Sequence, residues 1–419
     1  MHRISLLDRD LYLMKKNLLW NTIGTFLYTF AQWVLTVLVV RMDSYESAGY
    51  LAIAITASST YLQIALYGMR NFQISDVRGE YQPGEYVGSR FLTCLFAVIA
   101  CSLISAFSYT GYQYWCVEAF MLIRLAEAFV DVLYGEDQRF DRFDYIGKSY
   151  ILRGIATIVM FVLGLKLTGD LFIALVLIAI CNFLVATIYD LNKTAHLEKI
   201  AFTLKSPGMK SLLLTCAPIM IYNVLLYAQN LSPKNTIQAM MDTTQVGYYS
   251  SIASPTLVVQ LLANVLFTPF LPKIAELYEE KKFDDFGRAM KKTLLVTTGM
   301  VVIVNLGAML LGRWGLKLLY GPDILTHYEL FMPLVNVTIL YGLVFIMYSI
   351  VVILRKTLLL VIGMGIDFAL NMIMIRPMVN TFGMNGATYT LMLTYGAYLL
   401  YLLIVSLLVV HKEKKRLAV

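Results

Sequence analysis

Apolar runs follow one another along the chain and are separated by short polar breaks. Each run has about 20 residues, enough to cross about 30 Å of hydrocarbon as a helix that satisfies its own backbone hydrogen bonds. The pattern therefore predicts about twelve transmembrane helices and an all-α polytopic membrane protein. The helices are expected near 17–40, 46–70, 89–109, 112–134, 149–167, 170–191, 211–231, 245–271, 293–320, 328–354, 356–378 and 384–410.

Composition and charge agree with this prediction. Hydrophobic residues make up 59% of the chain and charged residues 15%, whereas soluble domains have roughly 25% charge. Most of the 34 lysines and arginines fall on the breaks that lie on one side of the membrane. By the positive-inside rule that side is the cytoplasm, which places both termini there. The net charge of +7 thus reflects topology, and no nucleic acid partner is expected.

The two halves of the sequence resemble each other. Gly49 and Tyr50 match Gly247 and Tyr248, and Arg90 matches Arg288 at the same spacing. We therefore predict two six-helix lobes, 1–200 and 201–419. An even number of helices per lobe gives both lobes the same orientation, so a parallel pseudo-two-fold repeat is expected. Transporters with such repeats bind their cargo near the bilayer midplane and work by alternating access.

Polar side chains recur every three or four residues on predicted helices 1, 2, 7 and 8, which places them on one face of each helix. Such stripes join neighbouring helices through hydrogen bonds or line a hydrated path between the two lobes. Stripes on four repeat-related helices favour the path. The candidate cavity residues are Asn21, Thr25, Gln32, Gln63, Asn223, Tyr227, Gln260 and Asn264.

Charged residues inside predicted helices are stronger signals, because a charge at mid-bilayer costs about 2.5–3.5 kcal/mol even on insertion scales. Arg124 lies near the middle of helix 4, Glu127 and Asp131 follow on nearly the same face, and Arg153 of helix 5 is expected to reach them. Two interpretations remain open. The group is an ion-pair network that holds helices together, or Arg124 binds an anionic cargo that the carboxylates orient.

Two further sites complete the candidates. Asp367 and Asn371 form a polar pair in helix 11, for which cation coupling and simple packing are both open. Arg70, at the end of helix 2, is a candidate for contact with the cargo.

The sequence lacks signals for an enzyme. Gly147-Lys148-Ser149 has the end of a phosphate-binding loop, but Arg142 stands where its first glycine is required. The four histidines are scattered, and the five cysteines form no CxxC pair. No catalytic residue, metal or cofactor is therefore expected.

Four segments together indicate a family. They are GMRNFQISD at 68–76, RFDRFDYIGKS at 139–149, PFLPKIAELYEEKKFDDF at 269–286 and FGMNGATYTLM at 382–392. In these segments the chain resembles Wzx-type polysaccharide flippases of the multidrug/oligosaccharidyl-lipid/polysaccharide exporter superfamily. The resemblance implies a monomer in the bacterial cytoplasmic membrane that moves undecaprenyl-pyrophosphate-linked oligosaccharides to the outer leaflet for capsule, O-antigen or a related polymer. It also implies pathway partners, namely a polysaccharide polymerase and glycosyltransferases.

One departure from the family pattern shifts the expected cargo contact. Helix 1 has no basic residue in its membrane interior, where related lipid-precursor flippases often have arginines. The cationic role then falls to Arg70, Arg124 or basic residues at the outer helix ends. Two alternatives stay open: a cation-coupled multidrug or small-solute antiporter of the same superfamily, and a membrane polymerase or ligase, which is disfavoured because the predicted outer loops are short.

Overall fold

The structure is a computed structural model that describes residues 6–76, 79–198, 202–204, 206–256 and 270–417. Within these ranges the chain is helical and has no β-strand. The α-helices are α1 Leu6–Met42, α2 Tyr45–Leu66, α3 Met69–Ser75, α4 Pro83–Ser108, α5 Gly111–Arg139, α6 Phe143–Thr168, α7 Leu171–Leu184, α8 Asn192–Ala195, α9 Pro207–Met240, α10 Thr243–Ala253, α11 Leu271–Glu279, α12 Phe283–Tyr320, α13 Phe331–Ile353, α14 Thr357–Phe382 and α15 Met384–Leu417. A π-helical segment, Val185–Leu191, joins α7 to α8, and 3₁₀ turns occupy Ser254–Thr256 and Asp323–Leu330.

The helices confirm the predicted polytopic membrane protein. In the described ranges, ten helical segments are long and apolar enough to span a bilayer. The 29-residue α5 is as long as these segments, but it is not among the ten because it carries charged residues, including Arg124, Glu127 and Asp131. The predicted eighth span begins with α10 and continues into 257–269, which lies outside the described residues. Large apolar side chains such as Phe107 and Leu310 are exposed, as expected for surfaces that face lipid.

The chain forms two compact units. Unit 1 is Met1–Tyr227 and unit 2 is Ala228–Val419, so the division falls inside α9. The lobe boundary expected at 200/201 stays a prediction.

The two halves share local structure at the positions of the sequence repeat. Ser44 caps the start of α2, where its side-chain oxygen accepts a hydrogen bond from the Ser47 N–H at 3.1 Å. Asp242 caps the start of α10 in the same way, accepting from the Gln245 N–H at 2.8 Å. Such caps satisfy backbone donors that have no partner in the first helical turn. The caps are 198 residues apart, which is the spacing of Gly49 and Gly247.

Helices α6 and α14 are a second matched pair, because each has 26 residues. A residue with left-handed φ comes two positions before each helix, Asp141 at 55° and Arg355 at 57°. Each helix is followed by a left-handed glycine, Gly169 or Gly383. Every residue of α6 therefore has a counterpart in α14 at a spacing of 214 residues.

The Gly147-Lys148-Ser149 segment has a packing role at the crossing of α1 and α6. A Cβ atom on Gly147 would lie 2.2 Å from the Trp20 carbonyl oxygen, so the two backbones touch. The Lys148 ammonium lies 5.5 Å from the centre of the Trp20 ring, and the Ser149 hydroxyl accepts a hydrogen bond from Tyr134. Small residues permit this kind of close helix approach in membranes.

We expect Gly147→Ala to destabilise the protein by about 1–3 kcal/mol, because the new methyl group overlaps backbone atoms that have no room to move. The melting temperature of the purified protein in detergent measures the effect. Gly365→Ala is the matched control, since Gly365 also lies inside a membrane helix but has no atom within 4 Å of the Cβ position. Equal melting temperatures for the two variants would contradict a close crossing of α1 and α6.

Candidate functional site

The charges of α5 form a polar cluster in unit 1, and its first member is Arg124. The Arg124 guanidinium donates to both oxygens of Glu127, at 3.0 and 2.7 Å, and to the Ser59 hydroxyl of α2 at 3.0 Å. Glu127 also accepts a hydrogen bond from the Tyr28 hydroxyl of α1. The predicted proximity of Arg124 and Glu127 is thus a direct ion pair that connects three helices.

Asp131, one turn further along α5, is shared by two arginines. One carboxylate oxygen accepts from Arg90 of α4 at 2.7 Å, and the other accepts from Arg70 of α3 at 3.4 Å. Arg70 also donates to the Gln138 side chain at 3.3 Å and lies over the Tyr134 ring. The Asp131 carboxylate therefore faces two positive charges.

A sharp break between α2 and α3 places Arg70 in this cluster. Tyr67 and Gly68 both have left-handed φ angles, 54° and 67°, so the chain turns before α3 begins. A Cβ atom on Gly68 would lie 3.1 Å from Ile219 of α9, and it would also strain the left-handed backbone. The GMRN part of the 68–76 segment thus fixes the direction in which α3 carries Arg70.

Asp76 is the last residue of the segment 68–76. Its carboxylate accepts hydrogen bonds from the backbone N–H groups of Glu80 and Tyr81, at 2.8 and 3.0 Å, and from the Tyr86 hydroxyl at 3.3 Å. Partial burial raises the pKa of Asp76, but these hydrogen bonds outweigh it and hold the pKa below its ordinary value. Asp76 is therefore a structural anion that ties α3 to the start of α4.

Arg153 pairs with a residue that the sequence analysis did not identify. Its guanidinium donates to Asp190 at 3.1 Å, to Asn182 at 3.4 Å and to Ser149 at 3.3 Å. Asp190 belongs to the π-helical segment, whose wider turn shifts side chains to a different face. Arg153, which was expected to reach Glu127 and Asp131, therefore forms its ion pair with Asp190.

These groups surround a cavity of about 150 Å³ within unit 1. Glu127, Asp131 and Arg153 line it, so the three residues face one space although they do not pair with each other. Three tyrosines, Tyr28, Tyr134 and Tyr150, complete the polar wall, and Leu62, Leu66 and Val130 supply apolar parts. A cavity of this size, with charged and hydroxyl groups in part of its wall, accommodates several water molecules.

Unit 2 contains a smaller polar cluster around Asp367. The Gln229 side chain of α9 donates to Asp367 of α14 at 2.8 Å and to the Thr394 hydroxyl of α15 at 3.0 Å. Asn371 accepts from the Ser232 hydroxyl at 2.6 Å. Asp367 and Asn371 thus each contact α9, and the predicted pair is part of a three-helix network.

The Asp367 carboxylate is buried, with 3% of its residue surface exposed. No lysine, arginine or histidine of the described ranges lies within ion-pair distance of it. Its Oδ1 atom, the Gln229 side-chain Oε1 atom and the Asn371 Nδ2 atom are buried without a hydrogen-bond partner in those ranges. Asp367 is the α14 counterpart of Arg153, 214 residues earlier in α6. The same helical position thus carries a paired guanidinium in unit 1 and, in unit 2, a carboxylate that has no basic partner among the described residues.

The predicted polar stripes have different environments. In unit 1, Asn21 and Gln32 of α1 and Asn223 of α9 are half-buried and Thr25 is exposed. Gln63 is buried and donates to the Ser59 carbonyl of its own helix at 3.3 Å. Tyr227 of α9 is half-buried and lies in the neighbourhood of Arg124. Gln260 and Asn264 lie outside the described residues, and the hydrated path that these stripes suggested stays a prediction.

Comparisons with known proteins add to this geometry. No family model matches the chain. The sequence is 21% identical over 317 residues to the capsular polysaccharide biosynthesis protein CapF of Staphylococcus aureus, a match that covers 74% of this chain and 78% of CapF. The chain is therefore similar to a capsular polysaccharide protein over most of both sequences.

Solved structures show the same fold. An inward-facing multidrug resistance MATE family transporter of the MOP superfamily has a TM-score of 0.70 and 12% identity, covering 95% of this chain and 99% of that one. The lipid II flippase MurJ, in an inward closed conformation, has a TM-score of 0.66 and 16% identity, covering 92% of this chain and 86% of MurJ. The chain has the fold of these membrane transporters, and its resemblance to polysaccharide flippases of this superfamily is confirmed as a resemblance.

Proposed function

We propose that this protein is a flippase that moves undecaprenyl-pyrophosphate-linked oligosaccharide repeat units from the inner to the outer leaflet by alternating access. The polymer that receives them is a cell-surface polysaccharide. The polytopic transporter fold and the similarity to CapF support the polysaccharide pathway. The similarity of the fold to a lipid II flippase supports a lipid-linked cargo.

The observation that carries this proposal is the excess of positive charge in the polar cluster of unit 1. Arg124 pairs with Glu127 and Arg153 with Asp190, but Arg70 and Arg90 share Asp131 alone. Guanidinium groups suit phosphate oxygens, which they contact through two parallel hydrogen bonds. A surplus guanidinium in a membrane protein therefore favours an anionic cargo such as a pyrophosphate.

The membrane potential supplies a driving force for this direction. The cargo carries negative charge, and an inside-negative potential favours its outward movement by about 2.3 kcal/mol per charge per 100 mV. The polyprenyl chain would remain in lipid while the polar headgroup crosses. Within this proposal Arg70 and Arg124 are the cargo contacts, and Glu127 and Asp131 orient them.

A multidrug or small-solute antiporter is the second candidate, because the structure is also similar to a MATE family transporter. Such an antiporter needs a site that binds a coupling cation. The observation that favours one is the buried Asp367, which has no basic partner among the residues that the structure describes. Cation coupling is equally compatible with a flippase, so Asp367 and Asn371 are proposed as a coupling site for either function.

A membrane polymerase or ligase fits less well. Three helix connections on the predicted outer side, Asp43–Ser44, Tyr109–Thr110 and Gly169–Asp170, are only two residues long. No catalytic domain fits into connections of this length. We therefore propose a transporter without enzymatic activity, a monomer in the bacterial cytoplasmic membrane with both termini in the cytoplasm. Its proposed partners are the polysaccharide polymerase and glycosyltransferases of the same pathway.

Deletion of the gene, followed by extraction of lipid-linked sugars, tests the proposed function. We expect undecaprenyl-linked repeat units to accumulate in the inner leaflet, and a plasmid-borne copy of the gene to reverse the accumulation. Changed drug tolerance without accumulation would support the antiporter instead and refute the flippase.

For the coupling site, we expect Asp367→Asn to leave the fold intact but to remove the response of transport to a sodium or proton gradient. Asparagine keeps the shape and the Gln229 contact but does not bind a cation as a carboxylate does. Couplings between sites usually amount to about 1–3 kcal/mol, or about 5- to 150-fold. Transport in proteoliposomes with and without each gradient measures the loss.

The matched control is Asp323→Asn, because Asp323 is an exposed carboxylate of the same unit. That variant is expected to keep the gradient response. An undiminished response in Asp367→Asn would assign Asp367 to packing.

A further inference from the structure

The two arginines that contact Asp131 differ in their distance from its carboxylate and in their burial. The Arg90 guanidinium lies 2.7 Å from the carboxylate and its side chain is 2% exposed, whereas Arg70 lies 3.4 Å away and its side chain is 26% exposed. A single carboxylate balances one guanidinium, so Asp131, Arg70 and Arg90 together carry one surplus positive charge. Because Arg90 is nearer and more deeply buried, Asp131 mainly compensates Arg90, and the surplus charge belongs to Arg70.

Arg90 is also fixed in place by a second contact. Its guanidinium donates to the Ala65 carbonyl oxygen near the end of α2 at 2.6 Å, and the Thr93 hydroxyl donates to the same oxygen at 2.8 Å. The end of a helix leaves backbone carbonyls without helical partners, and these two donors satisfy one of them. Arg90 therefore stays with Asp131 and Ala65.

Arg70 has the opposite character. Its remaining partners are neutral, namely Gln138 at 3.3 Å, the Tyr150 side chain and the Tyr134 ring 5.6 Å away. Its Nε atom is buried without a hydrogen-bond partner in the described ranges, as are those of Arg90 and Arg124. Arg70 differs from Arg90 in its longer ion pair and its partial exposure, which suit a guanidinium that takes a further anionic partner.

Arg124 and Arg153 differ from Arg70 in their carboxylate partners. Arg124 has both oxygens of Glu127 as acceptors, and Arg153 has Asp190 together with two neutral acceptors. Each of these guanidiniums has a carboxylate of its own. Asp131, Arg70 and Arg90 are called the Asp131 group here. Among the described residues of this cluster, only this group has two guanidiniums for one carboxylate.

We propose that Arg90 is a positioning residue that holds Asp131 and thereby leaves the Arg70 guanidinium with the surplus charge that binds the phosphates of the cargo. This inference rests on the proposed function and explains how the protein selects an anionic cargo. The arrangement accepts an anionic lipid headgroup and repels a cationic drug. Arg90 acts through Asp131 and does not itself contact the cargo.

The proposal orders four proteins by the net charge of the Asp131 group. Wild type carries +1, Arg90→Gln carries 0, Asp131→Asn carries +2, and the double variant Arg90→Gln/Asp131→Asn returns to +1. Affinity for an anion should follow this charge. A merely structural role for Arg90 predicts instead that the double variant binds no better than Arg90→Gln.

The experiment uses the full-length protein in lipid nanodiscs and farnesyl pyrophosphate as the probe, with farnesol as the uncharged reference. Binding is measured by calorimetry at low ionic strength, where electrostatic effects are least screened. We expect Arg90→Gln to weaken binding about tenfold, Asp131→Asn to strengthen it about threefold, and the double variant to bind about as tightly as wild type. Farnesol binding should be equal in all four proteins.

Arg288→Gln is the matched control, because Arg288 is the repeat counterpart of Arg90 but its side chain is 79% exposed. This variant should bind farnesyl pyrophosphate as wild type does. If Arg90→Gln fails to fold, Asp131→Asn alone decides: weaker binding in that variant would overturn the proposal.

The failure of the inference can be told apart from the failure of the proposed function. If wild type binds farnesyl pyrophosphate no better than farnesol, then the pyrophosphate-linked cargo itself is refuted. If wild type prefers the pyrophosphate but the double variant stays as weak as Arg90→Gln, the proposed function stands and the role of Arg90 is wrong.

Discussion

Arg124→Ala is expected to abolish export of lipid-linked oligosaccharide. Two effects contribute to this loss. The substitution removes a proposed contact with the cargo, and it leaves the Glu127 carboxylate inside the membrane without its counter-charge. Removing one partner of a fully buried ion pair costs about 3–5 kcal/mol, and the loss should be smaller here because the Arg124 and Glu127 side chains are 12% and 16% exposed. The single substitution therefore gives a large effect without revealing which cause dominates.

The double variant Arg124→Gln/Glu127→Gln separates the two causes. It removes both charges, while Tyr28 and Ser59 keep amide partners in place of the charged groups. We expect its melting temperature to return close to that of wild type and export to stay abolished, because the cargo contact is still missing. Both quantities are measurable in the same strain, by complementation of the gene deletion and by thermal unfolding of the purified protein.

Normal export by this double variant would contradict a cargo-binding role. Arg124 would then be assigned to the ion-pair network that connects α1, α2 and α5. Lys16→Gln is a useful control for expression and assay conditions, because Lys16 is exposed near the start of α1.

Arg153→Met is expected to produce the largest loss of stability, about 3–5 kcal/mol. Arg153 and Asp190 are each only 2% exposed, so the substitution leaves a fully buried carboxylate unpaired. The Asn182 and Ser149 side chains lose an acceptor role at the same time. Thermal unfolding in detergent measures the loss, and part of the protein is expected to aggregate during purification.

Two further variants test the cause of this loss. Arg153→Met/Asp190→Leu removes both charges and should recover most of the stability, because apolar residues of similar size replace buried ion pairs at little cost. Arg288→Met breaks an exposed pair with Asp285 and should cost at most about 1 kcal/mol. A double variant as unstable as Arg153→Met would show that the side-chain packing of Arg153, and not its charge, stabilises unit 1.

The sequence predicted the helices well because a bilayer imposes a length and a composition on every crossing segment. It did not predict how far helices extend beyond the apolar core, and this explains why Arg90 was missed as a site residue. The predicted helix began at 89, which placed Arg90 at the helix end, where it served only as a match to Arg288. The observed α4 begins at Pro83, so Arg90 lies two turns inside the helix, opposite Asp131.

Other site contacts depend on departures from regular helix geometry. The apolar run 46–70 reads as one helix, because Tyr67 has no sequence preference for the left-handed conformation that it adopts. Asp190 was missed because sequence patterns assume the 100° rotation per residue of a regular α-helix, which does not describe a π-helical segment. In α9 the predicted stripe of Asn223 and Tyr227 lies on a different face from Gln229, the residue that meets Asp367.

The register match between α6 and α14 has a consequence for how the two halves respond to ions. Two identical halves with the same orientation would respond identically to a change in pH or salt. At one matched position, however, one half carries Arg153, a group that keeps its charge at every physiological pH, and the other carries Asp367, whose charge depends on protons and cations. A change in ionic conditions then acts on one half only, which breaks the symmetry that an internal repeat would otherwise impose.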